Sequence, residues 1–430
     1  MQFIETIRNA WKIADLRKKI LFTFFIIIVS RIGSFIPVPF IDVAALHAGM
    51  STAMNDNTLF SYLGILTGGA LQYGAIFAMS VTPYINASII MQLLTVAIPP
   101  LERIAKEGEE GRKRIAKYTR FATVILGLIQ GTVYYLYLKN SDYLTQEEGF
   151  FGVFAAIVII FCFTAGSAIM MWLGEQIDDK GIGNGISILL FSGIISRGPT
   201  AFASLYYSFV NGQYGQVIAI VIAFLVVVAF IVFMTAAERR IPVQYAKKVV
   251  GRKMYGGQST HLPIQVNMSG VMPIIFASSI LSIPSMIVGF MTNQESFWYR
   301  LLSLFSFEST FYAILYLLLI IFFAYFYVTI QYNPVEMANN LRKNSGAVPG
   351  IRPGKPTAEF IGKIISRITL IGALFLGVIA VLPIVVGKIG GIAGVSLGGT
   401  SILILVGVAL DTVKQVESQM LMRYYKGFLD

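Results

Sequence analysis

The sequence predicts an all-α polytopic membrane protein: ten transmembrane helices in two pseudo-symmetric halves of five, with one short re-entrant half-helix. Three observations predict this. Of 430 residues, 56% are hydrophobic and only 13% charged, about half the charge density of a soluble globular chain. That leaves too little polar surface to solvate a 47.3 kDa body, and it is the reverse of a disordered composition. Ten apolar stretches of the length a span needs, about 20 residues, lie near 20–38, 74–98, 119–138, 150–173, 183–204, 216–236, 268–291, 309–331, 367–387 and 397–416. Finally, Lys and Arg alternate between the connections, with 28 on one set and four (Lys139, Arg197, Arg300, Lys388) on the other. Positive-inside bias then places both termini and the three long basic loops in the cytosol, and ten is the count that fits this parity.

Before the first span, Phe3, Ile4, Ile7, Trp11 and Ala14 recur at helical spacing with Glu5, Arg8, Lys12 and Asp15 between them. The spacing fits a short amphipathic helix on the cytosolic membrane surface and equally a packed first helix. Lys18 and Lys19 precede an apolar run that continues through Arg31 to Pro37 without a small-residue cleavage pattern, so the run reads as a retained span rather than a signal peptide.

Between the first two spans, residues 57–70 are apolar, too short to cross, and end on Gly68-Gly69. A half-helix that stops inside the membrane region must be sheltered by protein, because lipid cannot satisfy its backbone ends. A surface helix is the alternative, and the near absence of charge favours shelter. The second span contains Thr82, Pro83, Asn86, Ser88 and Gln92, and the seventh follows Asn267 with Pro273, Ser278, Ser282 and Pro284. Second and seventh of ten are the same position in two halves of five, and paired interruptions point to the functional interface of a repeat-built membrane protein. Proline inside these spans is expected to loosen the helices, while small polar residues bond across the seam. Ordinary packing of Gly, Ser and Pro in spans remains open beside this reading.

Other functions are disfavoured residue by residue. A single cysteine, Cys162, excludes a disulfide framework and a thiolate cluster. Ion-coupled transport needs ionisable groups near the midplane, yet Arg31, Glu175, Glu238 and Asp411 lie toward span ends and His47 and His261 in loops. There is no GxxxxGK[ST] run to cradle a nucleotide. Gly394-Val-Ser396-Leu-Gly398 matches the GxSxG elbow of hydrolases but stands between two spans with no histidine in any span, and reads as a flexible loop. The expectation is a chain that is not an enzyme, without catalytic residues, metal site or cofactor; a secondary transporter of small solutes is the alternative function.

The cytosolic loops at about 237–267 and 332–366 carry Arg239, Arg240, Lys247, Lys248, Arg252, Lys253 and Arg352. Gly and Pro on both sides of Arg352 are expected to hold it at the tip of a turn. Such loops can meet anionic lipid, an acidic partner, or RNA phosphates that fix position without reading sequence.

The stretches Ile76–Gln92 (Ile-Phe-Ala-Met-Ser-Val-Thr-Pro-Tyr-Ile-Asn-Ala-Ser-Ile-Ile-Met-Gln) and Trp172–Ser187, with Gln258–Pro263 and Gly346–Gly354, carry a family likeness. Along essentially its whole length the chain resembles the SecY family, central subunits of bacterial protein-translocation channels. The resemblance implies two halves, 1–205 and 206–430, around an hourglass pore for unfolded secretory polypeptides. It implies a pore ring of Val81, Ile85, Ile186, Leu190, Ile275 and Ile404, where Val81 and Leu190 depart from the usual isoleucine but keep branched bulk. It implies a plug at about 57–70 (Leu59, Phe60, Tyr62, Leu63, Ile65, Leu66, Gly68, Gly69). A lateral gate for signal sequences and membrane segments falls on Thr82, Pro83, Asn86, Gln92, Asn267, Pro273, Ser278 and Ser282. Arg252, Lys253 and Arg352 match docking positions for the ribosome or the motor ATPase SecA, with Arg239, Arg240 and Lys247 in the same basic loops. Small SecE and SecG-type membrane subunits, signal peptides and the lipid bilayer complete the implied partners, in a bacterial plasma membrane.

Overall fold

A computed structural model of the chain describes residues 11–56, 64, 67–146, 149–245, 248–250, 253–255, 259–290, 297–305, 309–390 and 399–426. Among these, six helices are long and apolar enough to cross a membrane, or seven with one bent pair. The protein is mostly helical and multi-pass. The first helix, α1 (Ala14–Gly33), is followed by α2 (Val43–Asp56) on the way to α3 (Thr82–Ala97). The expected second span begins eight residues late as a helix. Residues 67–81 run as turns, with left-handed backbone at Gly74 (φ 52°) and Ser80 (φ 49°).

Helix α3 bends by 101° into α4 (Pro99–Lys106), where Pro99-Pro100 withhold the N–H groups that would continue α3. Long antiparallel helices α5 (Glu109–Asn140) and α6 (Gly149–Lys180) follow and pack on each other, with α3 against α5. The expected fifth span is one membrane-span candidate, Gly185–Val210, made of α7 (Gly185–Ser196) and α8 (Gly198–Val210), with Pro199 opening the first turn of the second. Helix α9 (Tyr214–Ala236) is apolar all round and nearly all exposed, including Phe224, Leu225, Phe230 and Phe233; such a face suits lipid.

The loop expected at 237–267 is not irregular. It forms β1 (Glu238–Tyr245), β2 (Lys248–Val250), β3 (Lys253–Tyr255) and β4 (Ser259–Gln265). Beyond it come α10 (Met272–Phe290), α11 (Phe297–Ser303), α12 (Thr310–Gln331), α13 (Pro334–Lys343), β5 (Gly346–Ala347), α14 (Lys355–Gly390) and α15 (Gly399–Lys426). Strands β4, β1 and β5 form one antiparallel sheet in that order, β1 pairing β4 from Glu238↔Gln265 to Gln244↔Ser259 and β5 at Gln244↔Ala347. Its apolar residues Ile241, Val243 and Ile264 pack on Val328, Leu341, Ile361 and Ile365, so both basic loops share one core and are tied to the ends of α12 and α14.

Two further clusters organise the body. The larger runs through α1, α3, α6, α7, α9, α10, α12, α14 and α15. The smaller joins Val38, Ile41, Leu46, Met50, Leu71, Tyr134, Leu138, Ile159 and Phe163 at the other end of α5 and α6. There the connections lock onto one another: Val38 donates to Gly74, Ile76 to Ile36, Asp42 to Tyr143 and Thr145 to Phe40.

Candidate functional site: an apolar ring and a proline-started seam

Helices α3 and α10 begin alike. Pro83 and Pro273 are each the second residue of their helix, where the missing N–H has no intrahelical partner to lose. The expectation that these prolines loosen helix interiors is therefore corrected: they set where the two helices start. The proline inside α10 is Pro284. Val81 and Val271 precede the two starts, and their carbonyls accept from Ile85 (3.0 Å) and Ile275 (3.3 Å) one turn on.

Helix α7 is placed by the Trp172–Ser187 stretch. The Asp178 carboxylate accepts from the Gly185 N–H (2.7 Å) and the Asn184 side chain caps the helix by accepting from Ser187 (3.1 Å). A Cβ on Gly185 would lie 2.0 Å from the Gly174 carbonyl oxygen, so α6 and α7 approach backbone to backbone only because residue 185 is glycine. Arg120 on α5 pairs with Glu175 on α6 at 2.8 Å, fixing the same end of the bundle. This close turn delivers Ile186 and Leu190 toward the centre.

Five of the six ring candidates come from four helices and Val81 from the position just before α3, and all fall in one apolar cluster. Val81, Ile85, Leu190, Ile275 and Ile404 are buried within it, and Ile186 packs against it from a partly buried position. Val81 retains 0% exposure, Leu190 2% and Ile404 1%.

Helices α3 and α10, which carry the seam candidates other than Asn267, pack against each other. Pro83, Asn86, Asn267, Pro273 and Ser278 are buried; Thr82, Gln92 and Ser282 are partly so. Ser278 and Ser282 donate back to their own helix, to Ile275 (3.0 Å) and Ser279 (2.7 Å), and Gln92 donates to Ser88 (3.3 Å). Asn86 differs. Neither its Oδ1 nor its Nδ2 has a hydrogen-bond partner among the described residues, and the same holds for Asn267 Oδ1.

Of the plug candidates, Leu59, Phe60, Tyr62, Leu63, Ile65 and Leu66 lie outside the described residues, as do Lys247, Arg252 and the Gly394–Gly398 elbow. Gly68 and Gly69 form a left-handed pair (φ 63° and 90°). Backbone alone is described at Lys253, in β3. Arg239 and Arg240 are exposed on β1, and Arg240 is paired with Glu238 at 2.7 Å. Arg352 is exposed on a turn between left-handed Gly350 and Gly354, and its carbonyl accepts from Thr357 (2.9 Å).

Sequence reasoning missed a polar contact between distant segments: Arg31 Nη1 donates to Ser196 Oγ (3.1 Å), which lies 3.4 Å from the Gly68 carbonyl. It also missed Tyr134, fully buried, whose hydroxyl donates to the Leu71 carbonyl (2.9 Å). A charge inside an otherwise apolar span was the only available signal for the first; the second had none.

With this geometry in place, four likenesses bear on identity. The SecY family profile matches residues 75–413. The chain is 45% identical to the protein translocase subunit SecY of Streptomyces coelicolor, over 98% of each chain. It shares the fold of a SecY structure whose plug domain is described as stabilising the closed state of the translocation channel and maintaining a membrane seal (TM-score 0.66, 19% identity, 94% of this chain and 92% of that one). It also shares the fold of Sec61 in a canine ribosome–channel complex from the endoplasmic reticulum (TM-score 0.61, 18% identity, 94% and 92%). A profile match over most of the chain and a full-length relative at this identity make one conclusion: the chain belongs to the SecY family.

Proposed function

We propose that this protein is the pore-forming subunit of a protein-conducting channel in the bacterial plasma membrane, passing unfolded secretory polypeptides across and releasing signal sequences and membrane segments sideways into lipid. The observation that supports the reading is that Val81, Ile85, Ile186, Leu190, Ile275 and Ile404 all belong to one apolar cluster shared by four helices. A constriction of branched apolar side chains excludes water and ions by dewetting, yet yields around a passing chain because no specific bond must be broken.

The channel has two halves. They are residues 1–205 and 206–430, the division falling within α8. The halves meet at the α3–α10 seam, which is the lateral gate, with Thr82, Pro83, Asn86, Gln92, Asn267, Pro273, Ser278 and Ser282 along it. Residues 57–70 are the plug. Both termini face the cytosol, as do the sheet carrying Arg239 and Arg240 and the Arg352 turn, which dock SecA or the ribosome; Lys247, Arg252 and Lys253 belong to the same basic surface. The chain supplies no nucleotide motif, so the motor is a partner, and SecE and SecG-type subunits complete the complex.

A tether test decides the gate. With Cys162 replaced, cysteines at Asn86 and Ser278 are joined by short or long bifunctional reagents. A short tether blocks export and a long one permits it; indifference to tether length refutes the lateral gate.

A further inference from the structure

Hydroxyls on the helices of this bundle share a habit. Ser192 donates to the Leu189 carbonyl (3.0 Å), Ser278 to Ile275 (3.0 Å) and Thr412 to Val408 (2.7 Å), each bonding one turn back along its own helix. Ser401 does not. It retains 5% exposure, and its Oγ has no partner among the described residues. As the third residue of α15, it has no residue of that helix three or four places behind it to accept. Asn86 on α3 is the second case, deeply buried with Oδ1 and Nδ2 both unbonded among the described residues.

Both side chains stand next to ring candidates. Asn86 directly follows Ile85. Ser401 precedes Ile404 by three residues, which puts the two on one side of α15 about a turn apart. Ile85 and Ile404 belong to the same apolar cluster, so each flank of that cluster carries a polar group with nothing to bond. An extended polypeptide crossing the ring has the matching need. Every residue except proline brings one N–H and one C=O, and branched apolar side chains offer neither a partner. An amide accepts at Oδ1 and donates from Nδ2, and a hydroxyl does both, so Asn86 and Ser401 can serve either backbone group. No existing bond has to break first. The backbone is also what all secretory chains have in common, so these bonds act on every sequence alike.

We propose that Asn86 and Ser401 grip the passing polypeptide by its backbone: in the opened ring each bonds an N–H or C=O of the extended chain, whatever its side chains, and holds the chain while nothing pulls it. Two neutral bonds that exchange partners as each residue advances steady a chain without trapping it, as conduction requires. A motor that releases the chain between strokes then loses less ground. The inference rests on the channel and pore-ring reading above.

The test times how long a chain stays in the channel unaided. Vesicles carrying the complete channel complex take up a reporter, driven by SecA and ATP, until a folded block at its end arrests it. ATP is then removed and backward escape is followed, with either an alanine-rich or a proline-rich stretch lying in the ring. With alanine there, Ser401→Ala and Asn86→Leu are each expected to shorten the holding time about fivefold, the factor for one hydrogen bond of about 1 kcal/mol. The double variant should shorten it about 25-fold, since the two residues share no partner. Ser401→Thr, which keeps a hydroxyl, recovers most of the loss. Proline offers no N–H, so wild type should hold the proline stretch more briefly than the alanine stretch, and the double variant should hold both alike. If the double variant holds alanine as long as wild type does, the grip is overturned. Equal shortening of both stretches also overturns it, because the residues then act by shaping the ring and not by bonding the backbone. Should Asn86→Leu assemble poorly, Ser401→Ala alone decides by the same two readings. A wild-type complex that arrests no reporter at all would instead overturn the channel reading, and the grip with it.

Discussion

Replacing Asn86 by leucine should make the channel harder to open. Asn86 retains 3% exposure on α3, and its side-chain oxygen and nitrogen are both without partners among the described residues. An orphaned buried polar group costs about 1–3 kcal/mol, so the closed seam carries this penalty twice, and opening relieves it by admitting water or a polypeptide. Leucine keeps the branch at Cγ, removes both orphans and adds bulk whose strain costs about 1 kcal/mol or more. The net gain for the closed state is about 2 kcal/mol, or ~30-fold in the closed-to-open ratio. The assay is export into vesicles of reporters whose signal sequences form a graded hydrophobic series, with assembled channel measured alongside. Export of the weakest signals should fall by about that factor, while strongly hydrophobic signals, whose binding supplies more than the lost 2 kcal/mol, still pass. Asn86→Ser, which stays polar, should behave nearly as the parent. Equal export of weak signals by the leucine variant, at equal assembly, refutes the claim that the orphaned amide sets the opening energy.

The other predictions concern the ring and the docking turn. Changing Ile85, Ile186 and Ile275 together to glycine removes three branched side chains from the central cluster and should make resting membranes conduct ions, since the constriction becomes wide enough to wet; planar-bilayer current no greater than wild type would show that these residues do not form the seal. Arg352→Glu should abolish SecA-driven translocation while leaving assembly intact, and Arg352→Lys should weaken it, because a bidentate contact needs the guanidinium fork. ATP-dependent translocation by the Glu variant at the normal rate refutes docking there, and lost assembly would make Arg352 structural.

Much of the helical framework was legible because lipid demands long, unbroken apolar stretches, and these are visible in any single sequence. The misreadings have particular causes. Pro83 lies within an apolar run, so sequence alone suggested a weakened helix; the left-handed Ser80 just before it shows that the helix had not yet begun. In β1 the alternation of Ile241 and Val243 with Pro242 and Gln244 is a strand signal of period two, hidden by a reading tuned to helices and charge. The proposed ring could not be read from periodicity at all: Leu190 looks like any lipid-facing leucine, and only the family likeness singled it out. Arg31 and Ser196 are 165 residues apart, and no local pattern joins them.

The sheet of β4, β1 and β5 limits how anything can seat on it. Its outer strand β4 has one edge that pairs with no strand among the described residues, which ordinarily invites another chain to add a strand. Here Pro263 stands in that strand, and Pro242 stands in β1 just past the residues that β5 covers. Neither has an N–H to offer, so an incoming strand meets interrupted ladders on both sides. What the sheet presents instead is Arg239, Arg240 and, beside β5, the Arg352 turn, held on a rib anchored by Ile241 and Val243. Contacts made this way act through charge over a short range, about 8 Å at physiological ionic strength. The grip of a partner on this surface should therefore loosen as salt rises, and a partner can leave without unzipping any backbone.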